Sequence, residues 1–335
     1  MRFLRIFLYT ISMKQNKLKI GVVMGGPSSE HDISLMTGRN VIDTLRGLGH
    51  TVTQVYVTKS GNWLYNNSAS AFDPVEICAR HDVMFNAMHG EYGEDGQVQQ
   101  IFDRCNVRYT GSRTTAAALA MNKIISKDIF NKAGILTPRA VAFERNNFDM
   151  KEALSRVHLM TAPPWVVKPA SRGSSVGVTI ARTLPGLADG LETAFGYDNH
   201  VVVEEFIKGR EITCGVLQDF AGEDVHALHP LEIIPPDGKF FDYEVKYDGS
   251  TKEVPAPFFG EMLKNIKAQA VAAHNALGCR HYSRTDMIIK GTKIYVLETN
   301  TLPGLTSESL FPKQARLAKM EFPQLLEHLV RLATA

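Results

Sequence analysis

HYSRTDMIIKGTKIYVLETN, residues 281–300, reads as two β-strands, His281–Lys290 and Lys293–Asn300, folded back on each other at Gly291. Apolar side chains flank the whole stretch, so one face of the hairpin is expected in a core. The other face carries chemistry. Glu298 and Asn300 stand two apart on one strand and therefore point the same way. A three-residue turn of Gly291, Thr292 and Lys293 sets Asp286 directly opposite Glu298, whereas a two-residue turn puts the two carboxylates out of phase. Carboxylates opposed across a ladder repel each other unless a cation lies between them. Together with Asn300 they make a set of oxygen donors suited to Mg²⁺ that bridges nucleotide phosphates. Arg284, two positions before Asp286, shares that face. The rival reading is a merely solvated sheet face, which the apolar flanks oppose.

Upstream, a long helix is expected over Glu261–Leu277, closed by Gly278. Before it come short strand signals at Trp165–Lys168, Gly177–Ala181, Val201–Ile207 and Glu211–Gln218, with little helix between them. This texture fits an α+β unit that clamps a nucleotide. Within it, Lys168 ends an apolar strand for no packing reason and leads into the small-residue loop Pro169–Gly177. Backbone N–H groups and hydroxyls of such a loop wrap a polyphosphate, and the lysine neutralises its charge. A flexible surface hairpin is the alternative. A helix from Lys123 to Ala133, capped by Gly134 and stopped before Pro138, precedes this unit.

The first part of the chain alternates strand and helix. Leu18–Met24 is a buried strand ending in Gly25-Gly26, Ile33–Leu48 a helix closed by Gly49, and Thr51–Val57 and Val83–Met88 further strands. That order predicts a parallel sheet wrapped by helices. Glu30, in the turn after the first strand, either favours the helix N-terminus electrostatically or binds an ammonium group; local sequence does not separate the two. The fingerprints G-x-G-x-x-G and G-x-x-x-x-G-K-[ST] are both absent, which disfavours two familiar nucleotide folds.

Length and composition suggest two or three compact units. The chain has 335 residues, 44% of them apolar, and a net charge of +2 with its Lys and Arg scattered, so nucleic acid is not an expected partner. Cys78, Cys105, Cys214 and Cys279 form no CxxC pair, which fits a reduced cytoplasmic setting and gives no support to structural zinc. Residues 1–16 are expected as a disordered tail. No later stretch approaches the ~20 apolar residues that span a membrane. The expected units are 17–115 (α/β), 116–207 (central) and 208–335 (C-terminal), the last with a lid over 237–251 rich in Gly, Asp and Lys.

Taken in order, eight segments resemble the ATP-grasp superfamily and, within it, the D-alanine–D-alanine ligase family. They are GGPSSEHDIS at 25–34, MHGEYGEDG at 88–96, MNK at 121–123, VVKPASRGSSVGV at 166–178, EEFIKGREIT at 204–213, FDYEVKY at 241–247, RTDM at 284–287 and ETNTLPGLTSESLFP at 298–312. The resemblance runs from about residue 18 to the C-terminus in the family's order and spacing. It implies an ATP-grasp fold with an N-terminal Rossmann-like domain, ATP as co-substrate and two Mg²⁺ (or Mn²⁺) ions held by Asp286, Glu298 and Asn300. Lys123, Lys168 and Lys246 resemble phosphate contacts. Glu204, Glu205, Phe206 and Ile207 resemble the hinge strand that reads adenine, and Glu211 the carboxylate on the ribose. Glu30 aligns with the residue that holds the ammonium of a first D-alanine, with Ser174 and Tyr247 as its partners. Arg284 resembles the group that stabilises the oxyanion, and Ser309, with the Gly304–Leu310 loop, the receiver of the second D-alanine's carboxylate. A homodimer is common among relatives.

Three positions depart from the family pattern: Asn122 where Asp is frequent, Arg172 in the glycine loop, and Glu205 where lysine is frequent. They bear on nucleotide affinity rather than on reaction type. The implied reaction joins two D-alanine molecules through an acyl phosphate, for peptidoglycan precursor synthesis. The rivals are a D-alanine–D-lactate ligase, which Tyr247 opposes because depsipeptide-forming relatives tend to carry phenylalanine there or a different loop, and a catalytically silent ATP-binding regulator.

Overall fold

The computed structural model describes residues 17–236 and 251–335. The tail expected over 1–16, and the lid with Lys246 and Tyr247 apart from Thr251, lie outside the described residues. Three sheets carry the rest.

The first sheet is built from β1 (Lys19–Gly25), β2 (Thr51–Val57), β3 (Trp63–Tyr65), β4 (Val83–Asn86) and β5 (Arg108–Tyr109), in the order β3-β2-β1-β4-β5. Strands β1, β2, β4 and β5 run parallel, with Ile20 between Val52 and Val83. Buried on both faces, β1 and β4 are nearly continuous apolar runs, as a covered parallel sheet requires. On one face, Ile20, Val22 and Met24 pack with Val41, Ile42 and Leu45 of α1 (His31–Gly47). The same core takes in Leu325, Leu326 and Leu329 of the last helix, so the chain ends by returning to its first unit. On the other face, Val23, Val55 and Met84 pack with Trp63 and Phe102.

The second sheet is antiparallel throughout, β6-β9-β7-β8, from β6 (Ala140–Glu144), β7 (Trp165–Pro169), β8 (Thr179–Ala181) and β9 (His200–Glu205). Little helix was expected here, but two helices cover it: Met150–Met160, capped by Asp149, and Leu184–Phe195, capped by Thr183. Trp165, Val167, Val201 and Val203 alternate inward against Val157, Leu187 and Leu191 of these helices. Tertiary burial of those apolar positions, rather than helix propensity, accounts for them.

The third sheet, β13-β12-β10-β14-β15 with β11 on β10, contains β10 (Arg210–Phe220), β11 (Glu223–Ala227), β12 (Leu231–Ile234), β13 (Lys252–Pro255), β14 (Tyr282–Lys290) and β15 (Lys293–Asn300). Ile212, Cys214, Val216, Met287 and Val296 face Ile266, Ala270 and Ala273 of the helix Gly260–Ala276. By the two-residue period of a strand, Glu211, Thr213, Arg284 and Asp286 occupy the opposite face.

The pairing expected at the hairpin is present, but by a different device. Lys290 pairs with Lys293, so the turn is the two residues Gly291 and Thr292. Met287 pairs with Val296, yet Asp286 pairs with Glu298, which leaves Leu297 as a one-residue bulge. An unbroken ladder from this turn would have set Glu298 opposite Thr285 on the core face. The bulge reverses the phase and delivers Glu298 and Asn300 beside Asp286 and Arg284. No described helix is long and apolar enough to cross a membrane.

Candidate active site

Loops at the carboxyl ends of β1 and β4, the small-residue loop after β7, and the polar face of the third sheet converge on one region. The carboxyl ends of parallel strands are the usual place for a ligand in such a sheet.

Glu30 precedes α1 in N-cap position, but its side chain makes no cap hydrogen bond. It faces the site instead: Ser174 Oγ donates to Glu30 Oε1 at 2.6 Å. A Cβ at Gly90 would lie 3.0 Å from Glu30 Oε2, and one at Gly173 would lie 3.2 Å from the same atom. Any side chain at either position would crowd that carboxylate oxygen, so both are glycine where the two loops approach Glu30. Ser28 Oγ donates to His89 O at 2.7 Å and accepts from Glu30 N at 3.1 Å, which ties the β1 and β4 loops together. His89 is buried with Nε2 2.9 Å from Thr37 Oγ1 and Nδ1 3.5 Å from Glu94 Oε1. Burial raises the Glu94 carboxyl, against the opposing pull of His89. Neither His89 nor Glu94 was singled out in the sequence, although both lie in MHGEYGEDG.

The lysines sit where charge is to be balanced. Lys123 opens α5 (Lys123–Lys132); this helix follows the short helices α2 (Pro74–Cys78), α3 (Gln97–Arg104) and α4 (Thr114–Met121). Asn122 caps α5 by accepting from Ile124 N and Ile125 N, both at 3.1 Å. Lys123 Nζ donates to Arg172 O at 2.9 Å and stands 3.1 Å from Glu298 Oε2, joining the small-residue loop to β15. Lys168 Nζ lies 2.8 Å from Glu204 Oε2. At Lys168 burial is outweighed by Glu204 and Glu298, and its pKa is raised. Glu204, 2% exposed, also meets Lys127, whose Nζ lies 2.8 Å from Oε1. Lys127 Nζ also donates to Thr137 Oγ1 at 2.7 Å and to Pro138 O at 3.4 Å, so it is anchored on three sides.

The hinge residues diverge in their side chains. Glu204 is held by lysines, and Glu205 accepts from Arg139 N at 2.9 Å and Arg139 Nη2 at 3.1 Å. Phe206 N donates to Pro164 O at 3.2 Å, and Ile207 is buried. Glu211 pairs with Ile233 on one side and Ile288 on the other. The third departure from the family pattern has a structural account as well: Arg172 pairs with Glu91 and donates to Tyr197 O at 3.0 Å, so it tethers the loop to the first unit.

On the third sheet, Asp286 is held from two sides. Thr213 Oγ1 donates to Oδ1 at 2.5 Å, while Arg284 Nε and Nη2 reach Oδ1 and Oδ2, each at 3.1 Å. Repulsion between Asp286 and Glu298 was expected to be relieved by metal alone. Instead each carboxylate has its own cation, Arg284 for Asp286 and Lys123 for Glu298. Asn300 Oδ1 accepts from Leu302 N at 2.9 Å. Among the described residues no three His, Cys, Asp or Glu side chains gather in metal-binding fashion. Two carboxylates and an amide on one face are nevertheless hard oxygen donors, the class that Mg²⁺ and Mn²⁺ take, and they leave positions for phosphate oxygens. Ser309 precedes the helix α9 (Leu310–Leu317), where α6 (Met150–Met160), α7 (Leu184–Phe195) and α8 (Gly260–Ala276) are the helices between it and α5. Its Oγ lies 2.7 Å from Thr306 Oγ1 and accepts from Thr306 N at 3.1 Å, folding the Gly304–Ser309 loop onto itself.

Comparison with known proteins gives a consistent result. A family model described as D-ala D-ala ligase N-terminus matches residues 19–77 and 67–112, and one described as D-ala D-ala ligase C-terminus matches residues 129–331. A D-alanine–D-alanine ligase of Syntrophobacter fumaroxidans is 38% identical over 325 residues, covering 96% of this chain and 99% of that protein. The corresponding ligase of Geobacter sulfurreducens is 38% identical over 318 residues, with 93% of each covered. Among solved structures, the VanG D-Ala:D-Ser ligase from Enterococcus faecalis superposes with a TM-score of 0.84 at 31% identity, over 95% of this chain and 100% of its own. The D-alanine–D-alanine ligase from Bacillus anthracis complexed with ATP gives 0.77 at 33% identity, over 94% and 97%.

Proposed function

The chain belongs to the D-alanine–D-alanine ligase family, and from that membership we propose that it joins two D-alanine molecules at the expense of ATP, supplying peptidoglycan precursor. It is an ATP-grasp ligase. The observation that carries the reading of its site is the contact of Glu30 with Ser174, which sets a carboxylate of the first unit against the small-residue loop of the second.

A carboxylate is a poor acylating agent, so the acid of the first D-alanine attacks the γ-phosphate of ATP to give an acyl phosphate. Glu30, where the Gly90 and Gly173 loops meet, holds the ammonium of that D-alanine. Lys123 and Lys168 bind the phosphates, since transfer of a phosphoryl group depends chiefly on positioning and charge. Asp286, Glu298 and Asn300 would hold two Mg²⁺ (or Mn²⁺) ions, which offset the charge on the transferring group when bound. Glu204 to Ile207 line the adenine, with the side chains of Glu204 and Glu205 fixed by Lys168 and Arg139. Glu211 takes the ribose, and Lys246 contributes a further phosphate contact. The amine of the second D-alanine, whose carboxylate lies against Ser309, then attacks the acyl carbon. Arg284 stabilises the resulting oxyanion, and phosphate leaves. The family resemblance assigns Tyr247 as a partner of Glu30 and Ser174 that favours an amine acceptor.

The test is product analysis with ATP, Mg²⁺ and D-alanine, with D-serine and D-lactate as competing acceptors. D-alanyl-D-alanine and stoichiometric phosphate are expected. Phosphate release that needs D-lactate in addition to D-alanine, with D-alanyl-D-lactate as the product, would assign the depsipeptide reaction, and no release with D-alanine and any acceptor would assign a silent ATP-binding protein.

A further inference from the structure

Lys127 lies one turn after Lys123 on α5, and no step above uses it. It is 5% exposed, and it shares the 2%-exposed Glu204 with Lys168, each ammonium at 2.8 Å from a different carboxylate oxygen. One ammonium suffices to neutralise one carboxylate. The second is not needed to neutralise Glu204, and Lys168 also feels the charge of Glu298. The two lysines are not equivalent. Lys127 is anchored away from the small-residue loop by Thr137 Oγ1 and Pro138 O. Lys168 is 13% exposed in its side chain, opens directly into that loop, and has Glu204 as its ion-pair partner.

We propose that Lys127 is a positioning residue for phosphate binding, the standing counter-ion that keeps Glu204 charged and fixed while Lys168 leaves it for the nucleotide phosphates. The inference rests on the reading of Lys168 as a phosphate ligand. Without Lys127, moving Lys168 to a phosphate strands a buried carboxylate with no partner, and phosphate binding bears that cost. With Lys127 in place, Glu204 remains paired throughout. Binding of a nucleoside without phosphates leaves Lys168 where it is, so Lys127 is immaterial to it.

The experiment titrates ADP and adenosine separately into the wild type, Lys127→Met, Lys127→Arg and Lys168→Ala, with a thermal midpoint for each protein. Lys127→Met is expected to weaken ADP by about tenfold or more while adenosine stays within about twofold, given the cost of breaking a buried charge pair. Lys127→Arg, which keeps the charge, is expected to bind ADP close to wild type. Equal losses for ADP and adenosine would mark Lys127 as structural and overturn the proposal, as would unchanged ADP binding in Lys127→Met. If Lys168→Ala weakens ADP and Lys127→Met does not, this inference alone fails; if Lys168→Ala binds ADP normally, the reading beneath it fails too. Should Lys127→Met not fold, Lys127→Gln takes its place with the same outcomes.

Discussion

Ser174 Oγ donates a 2.6 Å hydrogen bond to Glu30 Oε1 across 144 positions of sequence. Glu30 makes no side-chain cap hydrogen bond on α1, so its carboxylate is directed to Ser174 rather than to the helix backbone. Glu30→Gln should therefore raise the KM for the first D-alanine by roughly 30-fold or more, as loss of a charged partner does. The KM for ATP and the melting midpoint should hardly move. Ser174→Ala should have a smaller effect in the same direction, about three- to tenfold, the worth of one hydrogen bond to a charged group. Equal losses in D-alanine and ATP kinetics would return Glu30 to a structural role.

Glu204 makes stability depend on pH in a definite direction. Burial alone would push its carboxyl up, but Lys127 and Lys168 outweigh burial and hold it at about 2, below the ordinary 4.5. The folded state therefore takes up the proton less readily than the unfolded chain. Its contribution is fully present above pH 4.5 and is lost as pH falls from there toward 2. Denaturant titrations at successively lower pH should show a shallower loss of stability for Glu204→Gln than for wild type across that window. Parallel curves for the two proteins would mean that the lysines do not depress Glu204.

Asn122, a departure from the family's usual residue, caps α5 through two hydrogen bonds and so fixes the helix that carries both Lys123 and Lys127. Asn122→Ala should lower stability by about 1 kcal/mol and raise the KM for ATP severalfold. Asn122→Asp keeps the acceptor and adds a negative charge at a helix N-terminus, so it should be neutral or gain a few tenths of a kcal/mol. Denaturant midpoints and ATP kinetics on the two variants check both; a destabilised Asn122→Asp would contradict the cap.

What could be read from the sequence follows from what is local. β14 and β15 declare themselves because Met287, Ile289, Ile294 and Val296 recur at the strand period. The bulge at Leu297 was not legible, since turn length and ladder phase trade against each other and either of two combinations gives the same pairing. α6 and α7 were missed although Asp149 and Thr183 are ordinary N-caps, because their burial depends on β-strands distant in sequence. The return of the last helix to the first sheet is likewise a matter of packing. Lys127 was not singled out in the sequence. Its one signal was its position four residues after Lys123, on the same face of the helix.

Glu298→Gln tests whether the carboxylate pair is held by repulsion or by pairing. If Asp286 and Glu298 opposed each other without relief, removing one charge would stabilise the metal-free protein. In the structure Glu298 has Lys123 at 3.1 Å, and Asp286 is gripped by Arg284 and Thr213. Its side chain is 36% exposed, so the Lys123 pair is screened and adds little, of the order of 0–1 kcal/mol. The metal-free melting midpoint of Glu298→Gln should therefore be unchanged or slightly lower, never higher. A neutral amide is a poorer ligand than a carboxylate for a hard divalent cation. Mn²⁺ affinity, followed by the loss of the free-ion electron paramagnetic resonance signal in the presence of ADP, should fall, and ligation should be abolished. Stabilisation of the metal-free variant would restore the repulsive picture. Unchanged Mn²⁺ affinity would remove Glu298 from the metal site, and near-normal ligation would remove it from the reaction.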